Sequence, residues 1–166
     1  VYNSEAFKKN QQIRRHHLKY PQDKYAPAWK TIEFMTFGSV VKLYKSIDNI
    51  DEKKSIARHF GVGKVSVFES YIDAIYTLRN KCAHGAALFD LQLPNGISGK
   101  GPKLGLEAGD HQKLTGALTV LKYVLRHISE NRERDLQNAL DDLYARIRTE
   151  RKELVEILQK CSGIKF

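Results

Sequence analysis

Within the stretch Leu78–Asp90, LRNKCAHGAALFD, an arginine, an asparagine and a histidine stand close together: Arg79, Asn80 and His84. A guanidinium is a planar fork of donors that grips a carboxylate or phosphate at two points. An imidazole is the side chain suited to taking up and releasing a proton near neutral pH. Together they suit an anion on which a proton has to be moved. Each residue also has a plainer explanation. Arg79 can answer a carboxylate of a neighbouring helix, Glu33 for instance, and His84 can sit favourably against the negative end of a helix.

The element that positions them reads as a helix from Lys64 towards Ala83, closed by Gly85. At about 100° per residue, Val65, Phe68, Ile72, Ile75, Arg79 and Cys82 fall on one face. Arg79 is therefore expected to project from the apolar side, where a guanidinium is costly unless an anion or several acceptors meet it. His84 is expected at the helix end, with its ring exposed in a groove. On a straight helix the two side chains point about 140° apart, so a shared site needs the helix to bend or end there, or a second chain to contribute.

Around this helix the pattern is helical throughout, and the expected class is all-α. Residues 1–25 are basic, with Arg14, Arg15, His16 and His17, and predict a solvated arm with a weak helix and a linker at Tyr20-Pro21. Residues 26–166 are expected to form one domain. In it, an apolar period of about 3.6 from Trp29 to Ile47 predicts one helix over about 27–47. A short helix from Asp51 to about Phe60 ends at Gly61. Residues 92–109 hold five of the eleven glycines and two of the four prolines, which predicts a loop or small hairpin. Within it GISGKGPK lacks the spacing of a phosphate-binding loop and reads as a flexible turn. Asp110 is expected to cap a helix containing Leu114, Leu118, Leu121 and Leu125. A long last helix is expected over about 132–159, with Leu136, Leu140, Leu143, Ile147 and Leu154 in heptad rhythm for packing within the bundle.

Lys and Arg outnumber Asp and Glu by 28 to 19, a net charge of +9, which suits a polyanionic partner. No apolar run is long enough to span a membrane and the start, VYNSEAFKKN, has no apolar centre of a signal peptide, so a cytoplasmic protein with no membrane partner is expected. Cys82 and Cys161 are expected to be reduced core thiols. His16, His17, His59, His111 and His127 have no metal-ligand spacing with them, so no metal and no cofactor are expected.

RNKCAH is an instance of R-x-x-x-x-H, and PAWKTIEFMTFGSVVKLY at 27–44, then IARHFGV, then LRNKCAHG follow one another in order. In these residues the chain resembles the Abi, or abortive-infection, family of the HEPN superfamily of helical ribonucleases, over about residues 27–90. The resemblance implies a HEPN-type helical bundle and a metal-independent endoribonuclease serving phage defence or a toxin-antitoxin system. It implies Arg79, Asn80 and His84 as catalytic residues. The RNA 2′-hydroxyl would attack the adjacent phosphorus, leaving 2′,3′-cyclic phosphate and 5′-hydroxyl ends. A homodimer would bring two histidines to one cleft, and an antitoxin RNA or protein would restrain the enzyme. Lys81, Lys122, Arg126, Arg14 and Arg15 are then expected to hold RNA backbone. Gly85 and Ala87 stand where many members carry a further histidine and arginine. Members also tend to extend further at the N-terminus.

Two other functions fit parts of the sequence. Residues 53–72, KKSIARHFGVGKVSVFESYI, have the outline of a helix-turn-helix with Gly61 at the turn, which would make a DNA-binding regulator. Against it, Val65, Val67, Phe68 and Tyr71 leave the second helix few polar side chains to read bases. A HEPN-like bundle that binds RNA or a protein without cutting is the other.

Overall fold

Helices delimited by capping residues make up the regular structure. The computed structural model describes residues 9–165, and among them there are eight α-helices and no strand, the all-α class expected. The chain divides into two compact units, Val1–Ile47 and Asp48–Phe166.

In the first unit, α1 (Gln11–Lys19) starts where the Asn10 side-chain oxygen accepts the backbone N–H groups of Gln12 and Ile13. One face of α1 is covered: Ile13 and His16 are buried, and His16 Nε2 lies 3.0 Å from Asp23 Oδ2. The basic segment is thus anchored through one face, while Arg14 and Arg15 are exposed on the other. Lys8 lies outside the described residues. The single helix expected over 27–47 is two, α2 (Ala28–Glu33) and α3 (Phe37–Lys45). Thr36 explains the break. Its backbone is extended and its hydroxyl accepts the Ser39 N–H, so a new helix starts with one of its orphan donors satisfied.

In the second unit, α4 (Ile50–His59) and α5 (Val65–Ala83) flank a turn in which Gly61 has φ +66°, a backbone state that favours glycine. α5 packs against α4 and against α6 (Leu114–Ile128), and α6 packs against α7 (Glu130–Glu150). Ala74 on α5 and Ala117 on α6 are small and buried, and Gly116 on α6 leaves room for the Asp110 carbonyl and Ile97, which a Cβ there would strike. The core holds Ala57, Val62, Val67, Phe68, Tyr71, Leu78 and Val120. Burying one such large apolar side chain contributes roughly 1.5–3 kcal/mol.

Two expectations are corrected here. Asp110 does not cap α6: it sits in a 3₁₀ turn, Asp110–Gln112, and its carboxylate accepts the Glu107 N–H instead. The last helix is interrupted, α7 ending at Glu150 and α8 running Val155–Ser162. Thr149 Oγ1 donates back to the Ala145 carbonyl, a bond that weakens a helix end, and the turn that follows lets Ser162 and Ile164 be buried. Residues 92–109 form the loop expected, and that loop is pinned to the rest of its unit. Leu93 and Ile97 are buried, and their N–H groups donate to the carbonyls of Gln112 and His111, both at 2.8 Å.

Candidate functional site

The buried stripe of α5 is Val67, Phe68, Tyr71, Ala74 and Leu78. It is offset from the expected face, because Tyr71 and Ala74 carry the packing while Ile72 and Ile75 are only half-buried at its edge. Arg79, one residue beyond Leu78, is consequently exposed rather than held on the apolar side. Among the described residues of its own unit it has no ion pair; its Nη1 donates to Asn80 Oδ1 at 3.1 Å. That bond occupies the amide oxygen of Asn80. Its NH₂ and the remaining guanidinium N–H groups are left as a cluster of donors fit for an anion. Asn80 is thus hydrogen-bonded to its neighbour Arg79.

The helix closes in a motif that fixes where His84 stands. Ala86 N–H donates to the Lys81 carbonyl at 2.9 Å and Gly85 N–H to the Cys82 carbonyl at 3.2 Å. Gly85 supplies the left-handed backbone, φ +62°, that this pair of bonds requires. His84 is the last residue before the turn, and its N–H donates to the Asn80 carbonyl at 3.1 Å. The carbonyls of Asn80, Lys81 and Cys82 are therefore satisfied from within the chain. The imidazole is exposed, and among the described residues no hydrogen bond engages it. Lys81 is exposed beside it. Cys82, expected in the core, is exposed too, because the last turn of α5 extends past the packing.

The sequence motif matches the family model described as Abi-like protein, over residues 2–90. The chain belongs to the Abi-like family. No curated protein and no solved structure matches it. The matched segment of this Abi-like chain includes all of α5 and the Arg79–His84 turn, and ends where the glycine-rich segment begins.

The other basic residues expected to hold RNA are spread over the chain. Arg14 and Arg15 lie on α1 in the first unit. Lys122 and Arg126 lie on α6, one turn apart, but both are engaged: Lys122 Nζ donates to Gln137 Oε1 at 2.8 Å, and Arg126 Nη2 is 3.5 Å from Glu133 Oε2. In the helix-turn-helix segment, Val67, Phe68 and Tyr71 are buried and Val65 is half-buried, so this face of the second helix is core. Among the described residues no three of His, Cys, Asp and Glu are grouped to hold a metal ion, and no helix is long and apolar enough to cross a membrane.

One region escaped sequence reasoning. His111 and Lys103 line an open pocket of about 290 Å³ with Ser98, Pro102, Leu104 and Leu106. The signal available was the glycine-rich GISGKGPK, but what shapes the pocket is the long-range pinning of that segment, which no local pattern carries.

Proposed function

We propose that this Abi-like protein is a metal-independent endoribonuclease acting in abortive infection, the defence of a bacterial population against phage, or as the toxin of a toxin-antitoxin pair. Family membership supports the defence role. The observation that carries the enzymatic reading is the last turn of α5, where Arg79 is hydrogen-bonded to the partly covered Asn80 and His84 is held at the helix end, with Arg79 and His84 both exposed.

In this reading a 2′-hydroxyl of RNA attacks the adjacent phosphorus as the bond to the 5′-oxygen breaks. One proton leaves the 2′-oxygen for a base, and another reaches the 5′-oxygen from an acid. Imidazoles suit both transfers. The guanidinium of Arg79, held in plane by Asn80, stabilises charge growing on the phosphoryl oxygens. One chain brings one such histidine, so a two-fold dimer that unites two Arg79–His84 turns supplies base and acid together. Lys81, adjacent and exposed, adds positive charge for the RNA backbone, and an antitoxin RNA or protein would act by covering this turn.

The test is to incubate the purified protein with mixed RNA in EDTA beside Arg79→Ala and His84→Ala, and to map the ends. The expected result is cyclic-phosphate and 5′-hydroxyl termini from the parent only. Equal cleavage by all three defeats the assignment, as would a parent inactive in EDTA and active with added metal.

A further inference from the structure

The segment 92–109 lines one pocket with His111 and borders a second that it shares with α6. The first, of about 290 Å³, is lined by Pro102, Leu104 and Leu106 with His111 and Lys103. The second, of about 230 Å³, is lined by Thr119, Lys122, Tyr123 and Arg126 of α6 with Glu133 of α7. Lys103 and Leu104 line both, so these two residues stand at the border of a two-part depression.

This surface is built rather than loose. His111 Nδ1 donates to the Ile97 carbonyl at 2.7 Å while Ile97 N–H donates to the His111 carbonyl at 2.8 Å. Since a carbonyl only accepts, the neutral ring keeps its proton on Nδ1 and offers Nε2 as an acceptor. Ser98 N–H is tied to Ser70 Oγ on α5 at 3.1 Å. Gly101 is pressed so close to α5 that a Cβ there would lie 2.5 Å from Val67 Cγ1 and 2.9 Å from the Tyr71 hydroxyl oxygen. On the α6 side, Tyr123 donates to the Phe60 carbonyl at 2.8 Å. Both walls are thus fixed before any ligand arrives.

The chemistry changes along the depression. One part sets Pro102, Leu104 and Leu106 beside a ring nitrogen able to accept a hydrogen bond. The other has Lys103, Lys122 and Arg126 against the single carboxylate of Glu133, an excess of positive charge. An apolar slot with a polar edge suits a nucleobase, and adjoining cations suit the phosphates on either side of it.

We propose that this depression is a second RNA-binding site, which seats a nucleotide of a single strand away from the scissile position, its base against Pro102, Leu104 and Leu106 and its phosphates at Lys103 and at Lys122 with Arg126. The inference rests on RNA being the substrate, and it names a specificity-determining site for it. It does not depend on cleavage.

The test separates the two. A short, fluorescently labelled, single-stranded 2′-O-methyl RNA has no free 2′-hydroxyl to attack, so its anisotropy reports binding alone. Lys103→Glu and the double variant Lys103→Ala/Lys122→Ala are compared with the full chain, each checked by thermal melting. The expected result is saturable binding by the parent, weakened at least tenfold in both variants. In the double variant the slope of log affinity against log salt should also fall by about 0.7 for each phosphate that is no longer neutralised. Binding equal in all three proteins overturns the site, as does no saturable binding by the parent. Competition by inorganic phosphate as effective as by AMP overturns the base slot. Loss of RNA cleavage in His84→Ala with binding intact would uphold both readings, whereas parent RNA binding that depends on Lys103 without any cleavage would uphold this site and sink the nuclease.

Discussion

From Val67 to Leu78, helix α5 turns a side chain into the core every third or fourth residue, with Tyr71 fully enclosed and Leu78 4 % exposed; in the next six residues only Asn80 keeps partial cover. The two stretches are continuous helix up to Ala83, so the difference is one of packing and not of secondary structure. Where packing dictates the residue, a substitution is felt as lower stability. Where it does not, the residue is open to another role, and at Arg79, Asn80 and His84 the role we propose is chemistry on a ligand. The largest effect that would break this contrast is on rate. His84→Ala is expected to lower RNA cleavage by about 10²–10⁴-fold while changing stability by less than about 0.5 kcal/mol. A denaturant titration showing more than that would mean the ring is part of the fold. Leu78→Ala, one turn and a half earlier, is expected to do the reverse, costing about 2–5 kcal/mol in unfolding free energy and leaving cleavage per folded molecule near that of the parent.

The same contrast separates what was legible in the sequence from what was not. The all-α class and the ends of α4 and α5 were readable because Gly61 and Gly85 are demanded by local backbone geometry, at φ +66° and +62°. The residues of the candidate turn were readable for the same reason: their spacing is local. Which side of α5 faces inward was not, since Tyr71 and Ala74 do not count as strongly apolar yet are enclosed by their neighbours. The break at Thr36 was hidden inside an apolar run that continues across it. The fixed shape of 92–109 was hidden by its own glycines and prolines, which signal turns but say nothing of Ile97 pairing with His111 fourteen residues on. Lys103 and His111 were not singled out as pocket residues for that reason.

Gly85 sharpens the comparison at the junction of the two stretches. A Cβ at this position meets nothing within 4 Å, so the penalty of Gly85→Ala is conformational alone, about 1 kcal/mol. Because the turn also sets where His84 stands, cleavage is expected to drop in the alanine variant, though by less than in His84→Ala. Gly85→Asn, which tolerates the left-handed state better, is expected to recover part of both losses. Unfolding free energies and cleavage rates of the two variants decide it; equal stability of parent and Gly85→Ala would show that the turn is not held as described.

The smallest expected effect belongs to the buried stretch and comes from a single oxygen. The Tyr71 hydroxyl is enclosed and has no hydrogen-bond partner among the described residues, and burial, with the nearby Tyr123, pushes its pKa from 10 up to about 12. A buried hydroxyl without a partner is a desolvation cost, so Tyr71→Phe is expected to be neutral or to stabilise the fold by about 1 kcal/mol at neutral pH. The sign of the pH effect follows from which state keeps the proton. In the unfolded chain the phenol ionises near pH 10, whereas in the folded chain it holds its proton to about pH 12. Between these values the folded state binds more protons, and stability falls as pH rises, by about 1.4 kcal/mol per pH unit from this group. Below pH 10 its contribution is constant. Tyr123 and Tyr144 shift in the same direction, so the parent curve alone does not isolate Tyr71. The difference between the parent and Tyr71→Phe does: the variant should lose stability less steeply above pH 10, and parallel curves would mean that the hydroxyl reaches a partner or solvent after all.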